Sequence, residues 1–489
     1  MFSNQTLIQN TSACREPVGS TTGYRGRRGK QSGIFGRWVA GIAVPVLLLV
    51  VLSCSGHHGA GHADAVADDI DPGIAHTLSS IEAIDNHAHP MLAPPFDATE
   101  KEFDALPVSN LELQSDPPAL RPDFPPLGAA WKALYGFTKP PPLDAAAIQR
   151  LNDARTRVKQ ERGEQYPTWV LDQARIGTML ANRVAMGRGV QPPRFLWVPY
   201  VDALLFPLDN SGMASASPDR KAFFALEDGV RHRYLDAVGI SAPPPTLDAY
   251  LSQVVTPTLE RQKAGGAVAE KFEVAYLRSF DFSDPPRAQV VKIYARWVHG
   301  GVPDSGDYKL LQDFLFRYTA GECGRLGMAV HLHAMAGGGS YFSIAGVNPL
   351  LLESLFNDPR LRKTNFVLLH GGWPYVREIG SLLQKPNVYL DLSGQDLLMT
   401  PRTESRWLRE WLEFAPEKVL FGSDGYPYSD EMGWAESTWI ASRNAREALD
   451  LALTGMMRDG EVSRDRANAI AQLVLRGNAE TLYRLQSHN

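Results

Sequence analysis

Two histidines separated by one residue, His87 and His89, stand where a strand-like run gives way to proline, in Ile84-Asp85-Asn86-His87-Ala88-His89-Pro90. In an extended chain, residues two apart point to the same side, so both imidazoles can reach one metal ion. The spacing recurs in Ala329-Val330-His331-Leu332-His333, where the histidines alternate with apolar residues. Two further apolar runs end in polar groups: Leu368-Leu369-His370-Gly371 in an imidazole, and Leu420-Phe421-Gly422-Ser423-Asp424 in a carboxylate. In Lys271-Phe272-Glu273-Val274-Ala275-Tyr276 the large apolar residues share one face and leave Lys271 and Glu273 on the other. Each of these alone has an ordinary reading, since a strand-terminal histidine is usually a satisfied polar residue and Ser-Asp-Gly a turn. Together they supply imidazole, amine and carboxylate from five strand ends, a donor set suited to a divalent cation.

The surrounding sequence predicts the elements that would gather them. Strand-like segments are expected near 81–89, Thr178–Ala185, Phe195–Leu205, Val268–Leu277, Met328–Ala334, Phe366–His370, Val388–Ser393 and Lys418–Ser423. Helical patterns run near Asp144–Arg162, Tyr166–Arg175, Leu247–Lys263, Pro286–Val298, Tyr308–Arg325, Pro349–Phe356, Pro374–Leu383, Glu404–Phe414, and to Leu485. Eight strands separated by helical sequence predict an α/β fold, a distorted (β/α)8 TIM barrel. An irregular, proline-rich insertion follows strand 1 to about Pro142, and is expected to form a lid or rim because it directly follows His89.

Composition bounds the rest. With 44% hydrophobic and 21% charged residues, the chain can build a sizeable core. A net charge of −5 gives no reason to expect nucleic acid or anionic lipid as a partner. Three cysteines (Cys14, Cys54 and Cys323) do not make a disulfide framework. Arg25, Arg27, Arg28, Lys30 and Arg37 precede an apolar run from Trp38 to Leu52, shorter than the roughly 20 residues that span a bilayer. The run ends Leu52-Ser53-Cys54-Ser55, similar to a bacterial lipoprotein signal. Residues 1–54 are therefore expected to be a signal segment, 55–75 a flexible linker containing His57, His58 and His62, and 76–489 the barrel domain. The expected location is exported, periplasmic or membrane-anchored through Cys54, with a small-molecule substrate and a homo-oligomer left open.

The quoted motifs resemble the amidohydrolase superfamily, and more closely its amidohydrolase-related (amidohydrolase 2) branch. His333-Ala334-Met335-Ala336-Gly337, Asn348-Pro349-Leu350-Leu351 and His370-Gly371-Gly372-Trp373-Pro374-Tyr375-Val376-Arg377-Glu378 are similar to the amidohydrolase domains sometimes fused to glutamine-synthetase-like proteins. No synthetase portion is read in this sequence. The likeness covers about Ile81 to Leu485, is strongest after Ala267, and breaks at the long insertion. It implies His87, His89, Lys271, His333, His370 and Asp424 as metal ligands. The histidine after strand five is assigned to His333, with His331 below it. The implied cofactor is one or two divalent ions, Zn²⁺ expected, with Lys271 carboxylated if it bridges two.

Electrostatics then suggests hydrolysis of a C–N or C–O bond in an amide, lactam, lactone or ester. A zinc-like ion brings the pKa of water to near 7. Asp424 would accept the proton and return it to the leaving group, and His370 or the metal would polarise the carbonyl. Trp373 and Tyr375 lie just past a strand end, and Arg377 could bind a substrate carboxylate. A solvated helix arginine is the competing reading of Arg377. Alternatives are a decarboxylase or isomerase of the same superfamily, or a metal-retaining binding lipoprotein. The intact Asp424 weighs against a binder, and His-X-His, where some of those decarboxylases carry Glu-X-His, weighs toward hydrolysis.

Overall fold

The computed structural model describes residues 70–106, 108 and 118–485. The expected signal segment, Cys54 and the linker histidines lie outside them. Among the described residues no helix is long and apolar enough to cross a membrane.

Eight parallel strands carry the fold: β1 (Ala83–Ala88), β2 (Ile176–Asn182), β3 (Phe195–Val198), β4 (Ala269–Phe272), β5 (Ala329–His333), β6 (Phe366–Leu369), β7 (Val388–Asp391) and β8 (Val419–Leu420). They form two sheets, β1-β2-β3 and β4-β5-β6-β7-β8. Strands β4 to β6 are buried at every position, as parallel strands covered on both faces must be. The ladders do not run continuously into a closed ring. Isolated parallel bridges Trp197↔Ala267 and Tyr200↔Lys271 cross between β3 and β4. On the other side Asn86 N donates to Phe421 O at 2.9 Å, and Asp424 N to His87 O at 2.8 Å. Register places Lys271 opposite His331, and His333 opposite Leu369.

Several strands end earlier than their sequence suggests, β3 and β4 by the most and for different reasons. β3 stops at Val198 because Pro199 has no N–H to extend the ladder, and Asp202–Leu205 turns into a short 3₁₀ helix. β4 stops at Phe272 because the Glu273 N–H is taken by Asp202 Oδ2 at 2.8 Å. Val274–Leu277 is then a helical turn rather than strand. Residues 72–75 also differ from expectation, being helix and not linker. Pro72–Ser80 is capped by Asp71, whose Oδ1 accepts from Gly73 N and Ile74 N, and it buries Ile74 and Leu78.

Two helices escaped the sequence reading. Pro125–Tyr135 lies inside the supposedly irregular insertion, its prolines in the first turn where no N–H is needed. Pro218–Ala237 begins at a Ser217 cap that accepts from Arg220 N. It buries Phe223, Phe224, Tyr234, Leu235 and, unusually, Glu227.

Candidate metal centre

Backbone hydrogen bonds bring the end of β1 against the segment after β8. Besides the Asp424 N–H, which His87 O holds, His89 N donates to Gly425 O at 2.8 Å. Asp424 adopts φ +50° and His370 φ +69°, left-handed conformations that cost a non-glycine residue about 1 kcal/mol or more. Both are held by their surroundings. His370 N donates to Asp391 Oδ1 at 2.8 Å, and His370 O accepts from Gln395 Nε2 at 2.7 Å. A side chain at Gly394 would sit 3.1 Å from Asp424 Oδ2 and 3.3 Å from His370 Nδ1, so the backbone there closes directly on the centre.

Ligand atoms of His87, His370 and Asp424 lie within 4.8 Å of one another. Asp424 Oδ1 is 3.3 Å from His87 Nε2 and 3.5 Å from His89 Nε2, and its Oδ2 is 4.0 Å from His370 Nδ1. Tyr428 donates its hydroxyl to Asp424 Oδ2 at 2.9 Å. His89 is aimed from behind: its Nδ1 meets Phe103 O at 2.9 Å and the Tyr200 hydroxyl at 3.0 Å. Ser393 Oγ lies 3.0 Å from His370 Nδ1 and donates to Asp391 Oδ1 at 2.7 Å.

Burial, with Lys271 nearby, drives His87 well below the usual histidine range. The same causes bring His331 and His333 down to about 3. Burial likewise lowers His370. These imidazoles are neutral, with lone pairs available to a cation. For Asp424 burial pushes upward, but the facing imidazoles outweigh it and hold the carboxyl well below its ordinary value. Neutral nitrogens around one carboxylate are the donor set of a zinc-like divalent ion, so the residues present fit one.

The remaining predicted residues divide. Lys271 is fully buried, its Nζ 3.4 Å from His87 Nε2 and 3.9 Å from Glu273 Oε1. The His333 ring lies 4.5 Å from the His370 ring, tilted by 57°, with Nε2 toward Met335 O at 3.0 Å. His331 turns away to the Tyr483 hydroxyl at 2.7 Å. Trp373 and Tyr375 lie in the loop after His370, and the Trp373 carbonyl accepts from Ala336 N at 2.8 Å. Arg377 does not join this group. Its side chain is 78% exposed and pairs with Glu410 Oε1 at 2.8 Å, because Glu410 on a neighbouring helix satisfies its charge at the surface.

The amidohydrolase family model matches residues 258–485. Residues 258–485 belong to the amidohydrolase family. They carry Lys271, His333, His370 and Asp424, and the segment preceding them carries His87 and His89. Protein fluG of Emericella nidulans is 31% identical over 184 residues, covering 36% of this chain and 20% of that protein. The chain thus matches about a fifth of its curated relative's length. Three solved structures share this chain's fold at low identity. A Lactobacillus casei protein inferred to be a metal-dependent hydrolase is 15% identical, with 84% of this chain and 97% of that chain covered and a TM-score of 0.54. Glucuronate isomerase from Caulobacter crescentus is 14% identical over 89% and 98%, TM-score 0.54. Uronate isomerase from Thermotoga maritima is 12% identical over 87% and 100%, TM-score 0.51.

Sequence reasoning missed Asp391 and Ser393, although Leu390-Asp391-Leu392-Ser393 carries the same apolar–polar alternation that exposed His331 and His333. It also missed Asp85, which accepts from Ser423 N at 2.9 Å and Ser423 Oγ at 2.5 Å and so ties β1 to the segment after β8. Tyr200 and Asp104 have no local signal.

Proposed function

We propose that this chain is a metal-dependent hydrolase of amides, lactams, lactones or esters, built on a distorted (β/α)8 barrel. The observation carrying the reading is the Asp424 carboxylate, held 3.3–4.0 Å from His87, His89 and His370. His87, His370 and Asp424 would hold the ion, zinc being the first to test, with His89 alongside and Lys271 available as a bridge if carboxylated. A bound divalent ion supplies Lewis acidity and acidifies water at neutral pH. Asp424, its Oδ2 held by the Tyr428 hydroxyl and its Oδ1 facing His87 and His89, would accept the proton of the attacking water and return it to the departing nitrogen or oxygen. Asp391 and Ser393 fix the His370 ring and backbone, so that the imidazole would be presented to the ion without reorganising. Trp373 and Tyr375 are proposed to contact substrate.

The test is a metal-loaded protein incubated with pooled amides, lactams, lactones and esters, read by mass. Gain of one water in a pool member, dependent on the metal, supports hydrolysis. Release of CO₂ or an isomeric product overturns it in favour of the non-hydrolytic reading, which the fold shared with two uronate isomerases keeps in view. Export and tethering through Cys54 belong to the same proposal, supported by the basic-then-apolar leader. Cys54 found unmodified within a longer peptide from the membrane fraction would remove the tether.

A further inference from the structure

The segment that brings Tyr428 to Asp424 is gripped from a distant part of the chain, by contacts the proposed reaction does not use. The Tyr428 hydroxyl donates to Asp424 Oδ2 at 2.9 Å and lies 3.2 Å from Asp424 O. Directly after it, residues 429–432 close a turn, Ser429 N donating to Met432 O at 3.1 Å and Met432 N to Ser429 O at 3.2 Å. One guanidinium takes both carbonyls at the tip of that turn. Arg155 donates from Nη1 to Asp430 O at 2.5 Å, from Nη2 to Glu431 O at 2.7 Å and from Nε to Glu436 Oε1 at 2.7 Å. Trp131 Nε1 donates to the same Glu431 O at 2.9 Å. Asn152 Oδ1 accepts from Arg155 Nη1 at 2.9 Å and aims it.

Both donors come from the stretch between β1 and β2: Trp131 from the helix Pro125–Tyr135 inside the insertion, Arg155 from the next helix, Ala145–Arg162. The Arg155 and Glu436 side chains are 13% and 2% exposed. A buried ion pair by itself would speak only for the fold, since removing one partner strands the other charge. Arg155 does more than pair with Glu436. Its fork also takes two successive backbone carbonyls, which fixes the path of the main chain as well as a charge.

A shift of that turn would be passed on to the centre. Glu436 and Ser437 begin the helix Trp434–Arg458, and Ser437 Oγ accepts from Tyr426 N at 2.9 Å. A side chain at Gly425 would collide with Thr438 Oγ1 on the same helix, so the backbone next to Asp424 has no slack there. The Tyr426 ring lies 5.2 Å from the His89 ring and 5.5 Å from that of Phe103, whose carbonyl meets His89 Nδ1. The stretch between β1 and β2 thus reaches the centre twice: on His89 through Phe103, and on Asp424 through Arg155, Trp131 and Tyr428.

We propose that Arg155, with Trp131 beside it, is a positioning residue of the metal centre. By holding the turn 429–432 it sets Tyr428 against Asp424 Oδ2, which makes the insertion a brace for the centre and not only a rim above it. The consequence for metal rests on reading Asp424 as a ligand; the brace itself does not.

The experiment joins Zn²⁺ titration calorimetry of the full chain to hydrogen exchange of the metal-free protein. Arg155→Lys keeps a charge opposite Glu436 but cannot fork onto two carbonyls, and Tyr428→Phe removes only the hydroxyl. Each should weaken Zn²⁺ by about tenfold. Because both act along one path, the double variant should bind no more weakly than the weaker single. Without metal, Arg155→Lys should speed amide exchange across residues 424–434 by about tenfold and leave β5 and β6 unchanged. Zn²⁺ affinity equal to the parent's overturns the proposal, as do additive losses or exchange accelerated throughout the fold, which would make Arg155 a stabilising residue alone. If Arg155→Lys does not fold, Trp131→Phe, which removes the second donor to Glu431 O, takes its place in the same cycle. A parent chain that binds no Zn²⁺ removes the metal-dependent reading, and the exchange rates then decide the brace by themselves.

Discussion

On the β7–β8 side of the centre, Asp391 and Asp85 are buried and saturated with donors, whereas the equally buried Asp396 and Glu404 keep both oxygens unpaired. Asp391 accepts from His370 N, Ser393 N, Ser393 Oγ and Asn86 Nδ2, and Asp85 from Ser423 N, Ser423 Oγ and His87 N. On the β2–β4 side, Asp104, Asp202, Glu227 and Glu273 are equally buried and each keeps an oxygen empty. Burial alone therefore does not distinguish a positioning carboxylate from an unpaired one. The number of donors already spent on it does.

Breaking the saturated side at its centre should give the largest effect. Asp424→Asn should lower kcat on any hydrolysed substrate by about 10³-fold or more while the protein stays folded by circular dichroism. Near-normal turnover would remove Asp424 as the proton acceptor. Asp391→Asn should cost about 1–3 kcal/mol in urea unfolding, because an amide nitrogen would face the donors that the carboxylate now accepts from. It should also loosen metal binding about 10–100-fold through His370. Glu227→Gln sharpens the comparison, since an isosteric amide in place of a buried carboxyl that burial already holds toward its neutral form should leave stability unchanged or raise it by about 1 kcal/mol. A matching loss in both variants would erase the distinction.

A pH series tests the unsaturated side more finely. Burial raises the Asp202 carboxyl from 3.8 to about 7, so between pH 4 and 7 the folded chain keeps a proton that the unfolded chain gives up. Its contribution, fully present below about pH 4, is lost as pH rises to 7. Asp202→Asn should flatten that part of the stability profile, as measured by urea midpoints. Arg377→Ala should do least, changing stability by under about 0.5 kcal/mol and KM not at all, since its partner Glu410 is a surface one.

Strands β5, β6 and β7 were legible because a covered parallel strand writes its burial into consecutive residues, and a polar residue ending such a run stands out. His87, His89, His333, His370 and Asp424 were found that way, and the structure brings them together. The helix Pro218–Ala237 was not legible, because its inward face includes Glu227 and breaks the apolar period. For Arg377 the sequence leaves a substrate carboxylate and a solvated helix arginine both open, because nothing local reveals a partner 33 positions later on another helix.

By itself, the order of residues determined which side chains end the strands and on which face they lie, since strand parity is a property of neighbouring residues. Only the tertiary structure decided that His370 and Asp424 turn left-handed toward one point, that Asp391 and Asp85 are saturated, and that Asp104, Asp202 and Glu273 gather around Lys271. Those outcomes depend on hydrogen bonds and charges between residues distant along the chain, whose partners no local pattern specifies.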